Sequence, residues 1–301
     1  MALTYTGARN LYGTLTDNDA STNLTLGDTL INSAIRKYTN ANGGKWWFLE
    51  KVTTQSTVAA QQAYTIPQST RKIIDLYVTV GTTIYTPIPV EDPTTWKNVL
   101  QMQLGTSDVA QFYYRQGNSV LIAPTPASAS NTITIRTRRQ VVDLRTADYT
   151  TGTVTGTLAS TVLTGSGTTF TAAMVGRFVN FTSGDGQWYE LGTFSSTTVM
   201  GLVAPYEGVT VAGSSFVLGE LPALPTGYHE MPVYDAASVY WTKEKDATRA
   251  KLYKEMATEM YNDMVNEAGE KVEGAYIPPF DRHLRRDPNN PEPLISTGSF
   301  V

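Results

Sequence analysis

The stretch from Thr150 to Glu220 restricts the possible folds of this chain more than any other, because it is long, almost uncharged and rich in β-forming residues. Short runs such as Arg177–Phe181 and Gln187–Leu191 are separated there by turns rich in glycine and serine. Strands at this spacing are typical of a small barrel or sandwich. We therefore predict an all-β module at residues 150–220.

The sequence before this module begins with a helical pattern. A helix is predicted after the polar segment DNDASTN, with Thr25 and Asp28 as its capping box and Asn42-Gly43-Gly44 as its stop. The aromatic run WWFLE at residues 46–50 follows, and we interpret it as a buried anchor between helix and sheet.

Residues 51–144 show mainly strand patterns. They predict a hairpin of Lys72–Val80 with Ile84–Thr86 and a second hairpin of Phe112–Tyr114 with Ser119–Ile122. The clean alternation at residues 131–138 predicts a half-buried strand whose inward side chains are those of Ile133 and Ile135.

Three further helices are predicted. Asp92-Pro93 begins a short one, because Asp is a favoured N-cap and Pro a favoured first helical residue. Its apolar residues are Trp96, Val99, Leu100 and Leu104. After the module, one helix is predicted from about His229 to Lys245 and another from Asp246 or Thr248 to Gly269. The last helix carries an apolar stripe of Leu252, Met256, Met260 and Met264, which we interpret as packing.

Together these patterns predict an α+β protein with a helical bundle, an adjoining antiparallel β region, an inserted small all-β barrel or sandwich module and an extended C-terminal tail. The predicted core is discontinuous, at residues 1–149 and 221–268, around the inserted module at 150–220. The tail, residues 269–301, has many prolines and little periodicity, so we expect it to be ordered only by docking on another protein.

Charge and composition disfavour several classes of function. The net charge of −4 argues against a free-standing DNA-binding protein, which normally carries a positive surplus. The absence of cysteine excludes a disulfide scaffold, a thiolate metal site and a cysteine nucleophile. The N-terminus lacks a signal-peptide core and no segment reaches the roughly 18 to 20 apolar residues of a membrane span, so we expect synthesis in a cytoplasm and no membrane partner.

Residues that could carry catalysis are few. The two histidines, His229 and His283, are far apart, and neither lies in the strand–turn–helix setting of a nucleophile. The segment GSGTT at residues 165–169 lacks the Lys of a P-loop and the third Gly and helix of a dinucleotide fingerprint, so we interpret it as a turn. Its predicted core neighbours are Phe170, Val175 and Phe178. We expect no catalytic residue, no metal site and no cofactor.

Carbohydrate chemistry is an alternative that the sequence leaves open. The acids Asp185, Glu190 and Glu207 are candidates for glycoside hydrolysis, and Trp188 and Tyr189 for stacking on a sugar. The competing interpretation makes Asp185-Gly186 a turn and Glu190 an outward strand residue, and we favour it.

Basic residues form three clusters, which are Arg136, Arg138 and Arg139; Lys243, Lys245, Arg249, Lys251 and Lys254; and Arg282, Arg285 and Arg286. Each cluster is either a solvated face balanced by neighbouring acids or a contact for DNA phosphates or an acidic partner surface.

Two motifs carry a resemblance to a known family. They are the pattern GSGT-F-VGRF-WYEL-PYEG within the module and the pattern LP-YH----Y-A--YW-K--D---A--Y at the following helix. With the N-terminal helix and WWFLE, they make residues 24–264 resemble the head-to-tail connector, or adaptor, proteins of tailed bacteriophages.

The resemblance implies a structural virion protein of the neck, not an enzyme, assembled in the host cytoplasm. Proteins of this family form a ring, commonly of twelve copies, that binds the portal protein on one side and downstream tail or nozzle proteins on the other. Genomic DNA passes through the central channel during packaging and ejection, without sequence recognition.

The resemblance also implies that the C-terminal tail docks on the portal. Its expected partner-binding residues are Tyr276, Ile277, Pro278, Pro279, Phe280, Arg282, Leu284, Arg285 and Arg286. The alternative function is a tail-fibre or baseplate protein that binds a receptor or glycan through the β module.

Overall fold

A computed structural model describes residues 2–102 and 104–269. They form a mixture of helices and mainly antiparallel sheets, as expected for the α+β class. Residues 270–301, which include all the predicted docking residues and His283, lie outside the described residues. The helices are α1 (Tyr5–Thr16), α2 (Ser21–Asn40), α3 (Pro93–Gln101), α4 (Met231–Lys243) and α5 (Ala247–Gly269).

Helix α1 was not expected, and α2 begins earlier than its predicted capping box. Thr4 caps α1 by accepting a hydrogen bond from the Gly7 amide at 3.1 Å. The capping box at Thr25 was wrong, because Thr25 lies inside α2 and its hydroxyl donates to the carbonyl of Ser21 at 2.8 Å. A Thr hydroxyl can bond either to a free N–H beyond it or to the carbonyl one turn before it, and the sequence does not distinguish the two.

Helices α1, α2, α4 and α5 pack together around apolar side chains from all four. The predicted stripe on α5 was partly wrong, because Leu252 is 53% exposed whereas Met264 is buried. The residues of α5 that are buried are Ala250, Ala257 and Met264, seven positions apart. Residues four apart advance around a helix at each step, whereas residues seven apart stay nearly in line, so only the second spacing keeps one face towards the bundle.

A sandwich of two four-stranded sheets follows α2. Its strands are β1 (Glu50–Ser56), β2 (Ala63–Thr65), β3 (Thr70–Val80), β4 (Thr83–Tyr85), β5 (Ile88–Val90), β6 (Phe112–Gln116), β7 (Ser119–Ala123) and β8 (Thr132–Arg139). One sheet has the order β1-β8-β3-β4 and is antiparallel, whereas in the other, β2-β7-β6-β5, strands β5 and β6 run parallel. The prediction of an antiparallel region was wrong at this pair, because the chain crosses over through α3 between the two strands. Both predicted hairpins are present, and Ile133 and Ile135 lie in the core between the sheets.

Helix α3 covers the outer side of the second sheet. Asp92 is its N-cap, with the side chain accepting from the Thr95 amide at 2.8 Å, as predicted. Trp96 and Val99 are buried against the sheet, but Leu100 is 46% exposed and Leu104 lies beyond the end of the helix. The predicted aromatic anchor WWFLE is likewise only partly buried, since Trp46 is 1% exposed and Trp47 is 59% exposed.

The region predicted as a module forms a seven-stranded antiparallel sheet with its own core. Its strands are β9 (Thr153–Gly156), β10 (Val162–Ser166), β11 (Phe178–Phe181), β12 (Trp188–Ser196), β13 (Val199–Leu202), β14 (Val211–Ser214) and β15 (Phe216–Gly219). The first and last strands of the order β14-β9-β10-β13-β12-β11-β15 are consecutive in the chain, so the sheet curls around its core. Contacts group Met1–Ala268 into one unit, and the division into an inserted module and a discontinuous core stays a prediction.

Candidate functional site

The bundle, the sandwich and the β module meet at a cleft of about 530 Å³. The extended segment 139–144, which leaves the sandwich, forms one side of it, and residues 220–224, which return from the module, form another. Side chains that face it include Phe48 and Lys51 from the sandwich and Val175, Arg177 and Glu190 from the module.

Ion pairs cross this junction. Nζ of Lys51 lies 3.7 Å from a carboxylate oxygen of Glu190, which joins the sandwich to the module. Glu220 approaches Arg177 at 4.0 Å, and its other oxygen accepts hydrogen bonds from the amides of Arg145 and Thr146. These ion pairs are partly exposed, so each contributes little to the free energy of folding. Their main effect is to orient the sandwich and the module relative to each other.

The segment that leads from the sandwich to the module is held at one point. The side chain of Asn32 donates to the carbonyl of Leu144 at 2.9 Å and accepts from its amide at 2.8 Å, both in buried surroundings. Two residues earlier, Val142 is 71% exposed beside the cleft. The two hydrogen bonds of Asn32 thus fix the backbone of this segment beside the cleft.

His229 is buried and holds two backbone segments together. Its Nδ1 accepts a hydrogen bond from the Leu3 amide at 3.1 Å, so Nε2 carries the proton and donates to the carbonyl of Leu224 at 2.9 Å. The ring is 2% exposed, and burial lowers its pKa. Both nitrogens are engaged with backbone groups, so His229 fastens the N-terminus to the return segment.

The sugar platform considered from Trp188 and Tyr189 was wrong, because neighbouring residues of β12 point to opposite faces. Tyr189 is 7% exposed and packs against Phe181 and Tyr206 in the module core. Its hydroxyl donates to Asp185. Burial, followed by this hydrogen bond, raises the pKa of Tyr189 to about 12.

The three candidate acids of the module make different contacts and do not all share one partner. Asp185 also accepts from the amide of Gln187, which makes the predicted turn. Glu190 lies at the cleft with Lys51, and Glu207 contributes its amide to the hydroxyl of Tyr189 at 3.2 Å. The carboxylates of Asp185 and Glu190 thus have separate partners within the fold, and Glu207 takes part through its backbone amide.

The GSGTT segment connects β10 to the next part of the module. Gly167 has φ +67°, a conformation that favours glycine. Thr168 is buried and its hydroxyl donates to the carbonyl of Thr197, while the Thr169 amide donates to the hydroxyl of Tyr149. The polar groups are used within the fold, which agrees with the turn interpretation. Phe170 is 1% exposed as predicted, but Val175 at 41% is not a core residue.

The described basic clusters are largely balanced by carboxylates. Arg136 and Arg138 share the outer face of the sandwich, and Arg138 approaches Glu50 at 3.5 Å. In the second cluster the pairs are Lys243–Glu244, Arg249–Asp17, Lys251–Glu255 and Lys254–Asp235. This pairing favours the solvated-face interpretation over a continuous surface for DNA phosphates.

Clusters of metal ligands and membrane-spanning helices are both absent from the described part of the chain. Among those residues, no group of three or more His, Asp or Glu side chains is arranged to hold a metal ion. None of the helices described there combines the length and the apolar character that a bilayer crossing requires.

A comparison with protein-family models matches residues 4–165 to the family described as SU10 adaptor protein. The match covers α1, α2, the whole sandwich and most of the first hairpin of the module, which is more than half of the 301 residues. The motifs that carry the resemblance lie mainly after residue 165, so the match rests on other residues. No curated protein matches the chain.

Proposed function

Because the chain belongs to the SU10 adaptor protein family, a family of phage head-to-tail adaptors, we propose that it joins the capsid to the tail in the virion neck. In this proposal one side of the protein binds the portal and the other binds downstream tail or nozzle proteins. The family match over residues 4–165 is the observation that carries the proposal.

The proposed assembly is a ring, with twelve copies as the expected number, around a channel for genomic DNA. The net charge of −4 and the internal pairing of basic side chains support a channel through which DNA slides. Each phosphate contact would add affinity and slow the passage of DNA, so a protein with a net negative charge suits this role.

Copy number and position in the particle test this proposal. A phage that lacks the chain is expected to produce filled heads without attached tails, and complementation is expected to restore joined particles. Electron micrographs of wild-type particles should place the protein as a ring directly below the portal. Joined, infectious particles in the absence of the chain would contradict the proposal.

We further propose that the C-terminal tail binds the portal through the residues named above, of which Phe280 and Arg285 are representative. Truncation after Gly269 spares the bundle, because Met264 is the last strongly buried residue of α5 in the described chain. The truncated protein should retain its circular dichroism but lose co-sedimentation with portal rings. A full-length Asn289→Ala variant serves as control, and undiminished binding by the truncated protein would overturn this proposal.

A further inference from the structure

The sheet β1-β8-β3-β4 of the sandwich has two free edges. Strand β1 pairs with β8 and strand β4 with β3, and within the described residues neither has a strand partner on its other side. Val52 in β1 is 54% exposed and Ile84 in β4 is 62% exposed. Both strands are therefore accessible along their outer sides.

These edges lack charged residues over most of their length, and charge is one of the features that normally prevent strands from pairing with another chain. Natural edge strands are usually protected by charges, prolines, bulges or a covering element. Strand β1 keeps an unbroken register with β8 from Glu50 to Ser56, and its last five residues, VTTQS, are uncharged and contain no proline. The segment from Gly81 to Val90 has no charged residue; β4 within it is three residues long, and Pro87 and Pro89 follow the strand.

The two exposed aliphatic side chains lie on one face of the sheet. Val52 of β1 is opposite Arg136 of β8, and Arg136 is opposite Asp75 of β3. Residues two apart in a strand point to the same face, so Thr79 of β3 shares the face of Asp75. Thr79 is opposite Ile84 of β4, which places Ile84 on the same face as Val52. The outer face thus ends in an exposed aliphatic residue at each edge. If the edges of two copies pair, Val52 of one copy and Ile84 of the next cover each other.

We propose that β1 of one copy pairs with β4 of the next copy, so that the sandwich sheet continues from subunit to subunit. This inference rests on the proposed ring and names the surface that builds it. The contact is heterologous, because two different edges meet, and heterologous contacts generate closed rings when the rotation between copies closes. About half of the peptide groups in an edge strand point away from the sheet, and pairing replaces their water hydrogen bonds with protein hydrogen bonds.

Cysteine pairs test the contact directly, since the natural chain has no cysteine. Three double variants combine Ile84→Cys with Val52→Cys, Thr54→Cys or Ser56→Cys, which share one face of β1 and cover three registers. Within one chain β1 and β4 are separated by two strands, roughly 14 Å at about 4.8 Å per strand step, beyond the roughly 7 Å limit of a disulfide. Any disulfide must therefore form between copies.

The variants are introduced into the phage, and purified particles are oxidised and analysed on non-reducing gels. A ladder above the dimer from at least one double variant, with monomers from each single variant, is the expected result. Dimers from a β1 cysteine alone would show that β1 pairs with itself, which overturns the proposal. Adaptor present in the particles without a ladder in any register also overturns it, whereas absence of the wild-type chain from particles overturns the proposed function.

A second variant makes the test independent of disulfide chemistry. Val52→Lys places a charge at the free edge and is expected to reduce incorporation into particles about tenfold, with unchanged circular dichroism. Val58→Lys is the matched control, because Val58 is 49% exposed but lies outside the strand. Wild-type incorporation of the Val52→Lys variant would overturn the proposal.

Discussion

Asp235 of α4 accepts a hydrogen bond from Lys254 of α5 at 2.6 Å, and its second oxygen accepts one from Lys37 of α2 at 2.7 Å. The carboxylate is only 8% exposed, whereas both lysine side chains are about half exposed. Burial by itself raises the pKa of Asp235, but the hydrogen bonds from the two lysines outweigh burial and lower it overall. One charge thus joins the consecutive helices α4 and α5 to α2, which is far from both in the sequence.

Replacing this charge should weaken the bundle. Asp235→Asn is expected to reduce the free energy of unfolding by about 1–3 kcal/mol, less than for a fully buried pair because the lysines can turn to water. Urea unfolding measures the change. Asp17→Asn is the matched control, since the exposed Asp17–Arg249 pair at 2.8 Å should contribute less than about 0.5 kcal/mol. Equal losses from the two variants would contradict this assignment.

The same carboxylate predicts a dependence on pH. The pKa of Asp235 is lower in the folded chain than the roughly 3.9 of an unfolded chain. Its stabilisation is therefore fully present above about pH 4 to 5 and is lost as the pH falls through the folded pKa. The difference in unfolding free energy between the wild type and Asp235→Asn should shrink on acidification below about pH 4, and a constant difference would refute it.

His229 predicts a second dependence on pH, in a different range. Burial lowers its pKa in the folded chain, whereas the unfolded chain takes up the proton near pH 6.5. The associated stability is complete above about pH 6.5 and falls towards the folded pKa, at no more than about 1.4 kcal/mol per pH unit. His229→Gln should remove this slope between about pH 6.5 and 5 in urea unfolding, while His283→Gln should retain it.

Helices α1 and α2 approach closely at Gly27. A methyl group there would lie 2.6 Å from Cε1 of Tyr12, whose ring is fully buried. Gly27→Ala should cost about 1–3 kcal/mol, because overpacking outweighs the gain in helix propensity of about 1 kcal/mol. Gly7→Ala in α1 is the control, since its methyl group would be 3.4 Å from its neighbours, and it should be neutral or stabilising in thermal unfolding. A stable Gly27→Ala protein would show that the helices can separate.

The core of the β module should depend on Phe170. This residue is 1% exposed and packs edge-on against Tyr149 and Phe216. Phe170→Ala is expected to cost about 3–5 kcal/mol through lost burial and a residual cavity. Phe194→Ala, in the same sheet but 39% exposed, should cost well under half as much in chemical unfolding. Similar losses of unfolding free energy in the two variants would contradict the assignment of Phe170 to the core.

Local patterns predicted the elements whose formation depends on adjacent residues. The Asp92-Pro93 start of α3, the hairpin whose turn begins at Gly81 and the alternating strand around Ile133 all agree with the structure. Asp246 likewise accepts hydrogen bonds from the amides of Thr248 and Arg249 at the start of α5. In each case the capping group, turn residue or periodicity that causes the element lies within a few positions of it.

Which side chains meet was decided by packing between distant segments. Trp188 and Tyr189 are both aromatic, yet the alternation of β12 and the curl of its sheet bury Tyr189 and leave its neighbour only half-buried. Leu252 fits an apolar stripe, but α5 turns Ala257 and Met264 towards the bundle instead.

Composition, periodicity and motifs indicated the α+β class, the uncharged β region and the resemblance to phage adaptors, because each is a local property of the chain. The meeting of Lys37 and Lys254 at Asp235, and the position of Val52 and Ile84 at opposite free edges of one face, follow from the folded arrangement alone. Such relationships depend on which strands and helices become neighbours, and the free energy of that choice is distributed over the whole buried core.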